Sequence, residues 1–500
     1  MLKGTKGEEF MIKSVNKTFK YIFLLLVVIA LTGCSSEAKN EKKAADAIKL
    51  KLKAMEEVNF NMKPYKETLY DESAVSNKTE WGNLNTHDPG IFKDGDYYYV
   101  FSTDASRGNI ADPGVQIRKS KDLINWEYSG TAFEELPKEA IEWTGATGLW
   151  APDVIKIQDE YYLYYSASTF GSNKSFIGVA KSKSIEGPWE DLGEVIKTDT
   201  TDKVNAIDPN LVYDKSGRLW MSYGSFWDGI YIVEIDIDTG KPKDEGIGKK
   251  IAGRSADVRG AIEGPYIVYN EEFNKYYLFV SYDSLASDYS VRVGRSDSID
   301  GPYVDSNGLE LTDISAIPFE VGNKILGGYK FGDSQGWIAP GHNSVLKDNN
   351  NYYIVHHARG DESKDWFYMH VRKILWSDNG WPMVSPERYA GEEEQELPAD
   401  VVLGKWDTII LQKYDIGQSN SNEITILKDG KLKDMEEGSW ELNEDNTMIL
   451  NLVNKEKSES YIFNCKLIPS WDWENNKNTV VFTGIDENGI AIWGKSILDK

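Results

Sequence analysis

Four acidic residues stand at the heads of short strand-like runs, each beside a proline or glycine: Asp88 in HDPG, Asp153 in APDV, Asp208 in IDPN and Glu263 in IEGP. A charge is out of place where a β-hairpin would start burying core residues. If these heads met in space, neighbouring like charges would raise the proton affinity of at least one of them. An acid that keeps its proton would then stand beside an ionised base at neutral pH. Cleavage of a glycosidic bond needs that combination: one carboxyl protonates the leaving oxygen, and another activates water or attacks carbon.

The elements that would bring these residues together repeat along the chain. HDPGIFKDGDYYYVFST from His87 aligns with APDVIKIQDEYYLYYSAS from Ala151 and IDPNLVYDKSGRLWMSYGS from Ile207. IEGPYIVYNEEFNKYYLFVSYD from Ile262 and GHNSVLKDNNNYYIVHHAR from Gly341 complete the set. Each is a short strand, a Gly/Asp/Asn turn and a strand alternating Tyr with aliphatics, which is a hairpin pattern. The following halves repeat too: IGVAKSKSIEGPW (177–189) matches VRVGRSDSIDGPY (291–303), and VQIRKSKDLINW (115–126) is a looser copy. Four short strands per unit is the size of a propeller blade. Units running from about Trp81 to Ala390 predict a five-bladed β-propeller, which explains the repeat better than tandem β-sandwiches. The first strand of a blade lines the central channel. The alignment places Asp88, Asp153, Asp208, Glu263 and Asn343 at its opening position, as a ring at one channel mouth. Asp153 is set apart from the catalytic group, as a residue bonding only to backbone at its blade's rim. The insertion between Asp305 and Pro340 is expected to be a long loop between blades four and five. Residues 398–500 break the rhythm and alternate as antiparallel strands of a separate small β-barrel or sandwich. No exposed aromatic cluster stands out there, so this domain is expected to buttress the propeller.

At the N-terminus, Lys17 and Lys20 precede an apolar run from Tyr21 to Leu31 and then LTGC, ending at Cys34. The run is short for a bilayer span and has the size of a signal-peptide core. LTGC resembles a bacterial lipobox, which implies cleavage before Cys34 and lipidation of its thiol. The expected protein is exported and lipid-anchored at the outer face of a membrane, or secreted. The signal pattern works better from Met11 than from Met1. The organisation read from the sequence is a signal segment (1–34), a tether (35–79), the propeller (80–392) and the C-terminal domain (398–500). The tether is rich in Lys, Glu, Ala and Asn, with a short helix near Ala44 to Val58. Cys465 is the second of two cysteines, so no disulfide framework is expected. A net charge of −24 argues against nucleic acid as a partner, because phosphates need a basic surface. It also disfavours strongly acidic polymers as substrates. The many Gly, Trp and Tyr suit a turn-rich β protein with aromatic surfaces for a flat hydroxylated ligand. A monomer is expected.

Taken in order, HDPG, LWAPDV, NAIDPN, SYGSFWDGIY, AIEGPY and PGHNSV resemble glycoside hydrolase family 43, and more narrowly its endo-1,5-α-L-arabinanases. The resemblance covers about residues 80–390, and the C-terminal region is similar to the extra β-barrel of the larger bacterial members. It implies an inverting hydrolase that cuts internal α-1,5-L-arabinofuranosidic bonds of arabinan, with Asp88 as general base and Glu263 as general acid. Asp208 would tune and orient Glu263. Base and acid should stand about 6.5–9.5 Å apart, leaving room for a water. Substrate contacts carried over are Asp88, Gly148, Asn205, Ala206, Ile207, Asp208, Ser225, Phe226 and Trp227. Gly148 would let backbone approach the sugar, and Asn205 would offer donor and acceptor. Phe226 or Trp227 would give a furanose ring an apolar platform. His342 in PGHNSV resembles the histidine that faces a calcium ion near the propeller axis. Calcium prefers oxygen ligands, so chemistry alone would not predict that site. His356 and His357 point to opposite faces of one strand and cannot chelate one ion together. His87 and His370 carry no assignment. Three alternatives stay open: an exo-acting α-L-arabinofuranosidase or β-xylosidase, a non-catalytic sugar-binding lipoprotein, and a five-bladed fructosidase suggested by the DPN of Asp208–Asn210.

Overall fold

A computed structural model describes residues 39–433, 435–443, 445–454 and 459–498. The expected signal segment and Cys34 lie outside the described residues. Among the described residues no helix is long and apolar enough to cross a membrane.

The repeats fold as five antiparallel sheets. Their leading hairpins are Gly90–Asp94 with Tyr97–Ser102, Trp150–Ile157 with Glu160–Ala167, and Asn210–Tyr213 with Leu219–Tyr223. Ile262–Asn270 with Lys275–Tyr282 and Trp337–Asp348 with Asn351–Gly360 follow. In every sheet the second, third and fourth strands follow the first outward in sequence order. The five first strands touch one another in cyclic order, closing a five-bladed propeller. Alternation decides the packing. Phe101, Leu163, Tyr165 and Phe176 fill the seam between blades one and two, and Tyr162, Ile177, Met221 and Tyr223 fill the next.

The backbone corrects the alignment of the blade heads. At each blade head a residue of the same place adopts a left-handed conformation: Asp88 (φ 51°), Ala151 (38°), Asp208 (61°), Gly264 (57°) and His342 (46°). Proline follows in the first four and Asn343 in the fifth. Asp88 and Asp208 are therefore equivalent. Asp153 lies two residues past the equivalent position, Glu263 one before it, and Asn343 one after. Aligning acid with acid had shifted three of the five heads.

The position two residues past the left-handed one has its own job. Asp153 Oδ2 accepts the N–H of Leu211 (2.7 Å) and the Nδ2 of Asn210 (3.0 Å) in the next blade. Asn210 Oδ1 accepts the N–H of Ile267 (2.8 Å). Tyr266 receives the N–H of Val345, and Ser344 Oγ that of Ile91 (3.2 Å). Each side chain takes up a backbone donor on the following first strand, as buried amides require. Gly90 completes the ring, because a Cβ there would stand 2.3 Å from the Pro152 carbonyl. The seam between blades five and one is also clasped at its outer edge. Met369 N–H donates to Asn83 O (2.9 Å) and Asn85 N–H to Phe367 O (3.1 Å).

Two other expectations change. Residues 305–340 are more than a loop: Asn323–Leu326 is the fourth strand of blade four, and Gly328–Lys330 extends the sheet of blade five. The tether is not free over its described part. A helix over residues 39–55 packs Ala47 and Ala54 into the core of the C-terminal domain, and Val58 just beyond it joins them. Lys51 Nζ donates to Lys405 O (2.9 Å) there.

The C-terminal domain is a closed eight-stranded barrel. Its Gln418–Asn420 pairs in parallel with Gly328–Lys330, so one sheet runs through both domains. Beneath it lies a buried ionic cluster. Lys495 Nζ meets Glu387 Oε1 (2.7 Å), Asp472 Oδ1 (3.1 Å) and Glu474 Oε2 (3.2 Å). Arg388 joins Glu474 to Glu67 of the N-terminal segment.

Candidate active site

Asp88, Asp208 and Glu263 lie at one end of the central channel, all buried. Asp88 is surrounded by donors. Its Oδ1 faces Nδ1 of His87 (2.8 Å) and Nδ1 of His342 (3.1 Å), and its Oδ2 accepts the Thr103 hydroxyl (2.6 Å). Thr103 Oγ1 in turn takes the N–H of Ala151 (2.8 Å), so its own hydrogen is directed at Asp88. Arg359 Nη2 stands 3.2 Å from Nε2 of His87. Arginine can only donate, so Nε2 accepts and Nδ1 carries the hydrogen that faces Asp88. His357 Nδ1 receives the backbone N–H of Asp88 (3.4 Å), and its ring stacks on His87 with centroids 3.7 Å apart. Burial opposes the charge of Asp88, but the imidazoles, His342 first and then His87, hold its carboxyl well below the usual range. Three of its four acceptor positions are filled, which leaves one for water.

Asp208 has the opposite surroundings. Its Oδ2 accepts the N–H of Gly264 (3.1 Å), and its own N–H goes to Ser166 Oγ (3.0 Å). Burial, then Glu263 and Asp88, push its carboxyl well above the ordinary range. Of the three acids, Asp208 is the one pushed toward its protonated form. Glu263 accepts two hydroxyls, Ser225 on Oε2 (2.7 Å) and Tyr289 on Oε1 (2.6 Å).

The other expected contacts divide. Ser225 is brought to the site but bonds Glu263. Phe226 and Trp227 follow it on a turn with left-handed backbone (φ 52° and 37°), and Trp227 is 42% exposed. Gly148 is bare for a packing reason: a Cβ would stand 3.1 Å from Cβ of Asp104, whose carboxylate caps the N–H of Leu149, Gly114 and Val115. Asn205 is buried and takes the Ser175 hydroxyl (2.6 Å), steadying the segment of buried Ala206 and Ile207 that leads to Asp208. Asp153 spends its carboxylate on the interblade ring, through Leu211 and Asn210. His356 bonds Arg372 (3.2 Å) and His370 packs against Trp337 (4.3 Å), both away from Asp88.

Sequence reasoning missed His87, His357, Thr103, Tyr289 and Arg359. Only His87 carried a signal, its place beside Asp88.

The five head segments enclose a cavity of about 20 Å³ on the axis, lined by Asp88, Asp153, Asp208, His342 and Asn343 among others. That is room for one small occupant. Neither polar atom of the Asn343 side chain has a partner. Asp88 takes the Nδ1 hydrogen of His342, so the Nε2 lone pair is the one free to ligate. His342 Nε2 and the Asn343 amide are the donors that would meet a small cation there.

The family model described as glycosyl hydrolases family 43 matches residues 82–382, and one described as a C-terminal lipocalin-like domain matches residues 386–494. The extracellular endo-α-(1→5)-L-arabinanase of Thermotoga petrophila is 33% identical over 453 residues, covering 82% of this chain and 93% of that protein. Extracellular endo-α-(1→5)-L-arabinanase 2 of Bacillus subtilis is 31% identical, covering 84% and 95%. The crystal structure of the endo-1,5-α-L-arabinanase of Thermotoga petrophila superposes with a TM-score of 0.75 at 31% identity, covering 83% of this chain and 99% of that one.

Proposed function

The chain belongs to glycosyl hydrolases family 43, and from that premise we propose an inverting endo-hydrolase of α-1,5-linked arabinofuranose chains. The observation that carries this reading is the unequal treatment of the carboxylates. Asp88 is held ionised by three donors, whereas Asp208 beside Glu263 is pushed toward the protonated form. The two relatives cited above, each matching more than four fifths of this chain, are named endo enzymes, which supports endo action.

In the proposed reaction a water gives its proton to the open acceptor position of Asp88. Its oxygen forms a bond to C1 of an arabinofuranosyl unit, on the face opposite the leaving group. The C1–O5 bond breaks, its electron pair goes to O5 of the next unit, and Glu263 supplies that oxygen with a proton. Asp88 is left protonated and Glu263 ionised, and exchange with solvent resets both. Asp208 fixes the peptide after Glu263 through the N–H of Gly264. Trp227 offers an apolar face to the sugar chain.

His342 Nε2 would hold one calcium ion, with Asn343 and water nearby; bound there, it would supply positive charge at the channel floor. The N-terminal run would export the chain and Cys34 would carry a lipid, consistent with the extracellular naming of both relatives. The domain would act as a monomer.

The test is a time course on linear arabinan. Mixed short oligomers appearing early, with an inverted anomer by NMR, are expected; arabinose alone or a retained anomer would overturn the reading. Glu263→Gln should bind arabino-oligosaccharides without turnover. Chelation should lower activity and calcium restore it. Cys34→Ser should release the protein from cell envelopes, and size-exclusion chromatography should return one chain per particle.

A further inference from the structure

Glu263 is held by two hydroxyls of different character. Ser225 can turn its hydroxyl from donor to acceptor. Tyr289 cannot do so easily. Its ring is buried over Gly341, where a Cβ would stand 2.3 Å from the ring, and is tilted against His357 with centroids 5.8 Å apart. Its backbone is tied by its N–H to Ser284 O (2.9 Å), closing the loop above blade four. The phenol oxygen therefore has one fixed direction, toward Glu263 Oε1 at 2.6 Å. Burial and the nearby carboxylates, Glu263 first, push its ionisation well above the ordinary range, so it remains a donor.

We propose that Tyr289 is a positioning residue for proton donation: it holds Oε1 as the proton-free oxygen of Glu263 and so assigns the transferable proton to Oε2. Before transfer, Oε2 carries the proton and Ser225 accepts or stands aside. After the proton leaves for the departing sugar oxygen, Ser225 turns to donate, and Tyr289 continues to donate to the new carboxylate. The gain falls in the step where negative charge appears on Glu263, so it belongs to the transition state more than to substrate binding. This inference rests on Glu263 being the general acid.

The experiment compares two leaving groups. Linear arabinan departs as a sugar alkoxide and needs full protonation, whereas a 4-nitrophenyl arabino-oligosaccharide departs as a stable phenolate and needs little. Tyr289→Phe removes one oxygen and keeps the ring. Loss of a hydrogen bond to a developing charge predicts a fall in kcat of about 10- to 100-fold on arabinan. The fall on the nitrophenyl substrate should be far smaller, with KM little changed on either. A fluorotyrosine at 289 keeps shape and hydroxyl and should restore kcat on arabinan, which also covers poor folding of the phenylalanine variant. Equal losses on both substrates, or no loss, would overturn the role of Tyr289. Glu263→Ala separates the premise: if it lacks the same leaving-group contrast, Glu263 is not the acid, whatever Tyr289 does.

Discussion

Replacing Asp153 by Asn tests whether the acid at the head of blade two serves chemistry or the ring of interblade hydrogen bonds. Burial raises its carboxyl to about 7, although the N–H of Leu211 and Nδ2 of Asn210 favour the charged form. An unfolded Asp titrates near 3.9. The folded state thus binds more protons than the unfolded state between about pH 4 and 7, and stability falls with rising pH across that window. A shift of about three units corresponds to up to roughly 4 kcal/mol lost by pH 8. Asn keeps an acceptor for Leu211 and carries no charge. Asp153→Asn should therefore come within about 1 kcal/mol of the parent near pH 4.5 and exceed it at pH 8 by up to about 4 kcal/mol. Urea midpoints at the two pH values provide the measurement, with turnover on linear arabinan alongside, expected to be unchanged. Asp153→Ala is the contrast. It strands two buried donors, at about 1–3 kcal/mol each, and should destabilise at both pH values. An Asn variant that is inactive, or less stable than the parent at pH 8, would refute the reasoning.

Lys495→Met leaves Glu387, Asp472 and Glu474 facing one another without their ammonium, and should cost about 3–5 kcal/mol of stability by thermal unfolding. The same change at exposed Lys428, paired with Asp400, should cost less than about 0.5 kcal/mol. Trp227→Ala should raise KM for arabinan several-fold while kcat holds, read from initial rates; equal losses in both would remove it from the sugar-binding surface. A chain ending after residue 392 strips the partner strand from Gly328–Lys330. It should self-associate in light scattering, and a soluble, fully active product would show the barrel to be dispensable.

The blade count, the hairpins and the nearness of Asp88, Asp208 and Glu263 were legible because a propeller repeats its backbone and brings its blade heads together. Period-two alternation and turn residues mark each hairpin, and closure of the ring follows from having five. The exact register of the heads was not legible. A left-handed residue before proline leaves only a weak trace in sequence, and Ala151, Gly264 and His342 share no chemistry with Asp88. The histidine cage of Asp88 was hidden for a related reason. His342 and His357 come from blade five and His87 from blade one, and only ring closure makes them neighbours. Tyr289 lies in the loop between the second and third strands of blade four, outside the strand pattern that the repeats share. The short strand Gly328–Lys330 was invisible because its partner is a segment of the barrel some 90 residues away.

The clasp of Asn83 and Asn85 on strand Phe367–Trp376 ends two residues before the histidine that feeds Asp88. The joint between the last blade and the first and the proposed water-activating group thus share one stretch of chain. Warming that unfastens this joint would silence the enzyme while the remaining sheets, and the spectroscopic signals they give, persist, so lifetime in use would be governed by a local opening rather than by the melting temperature.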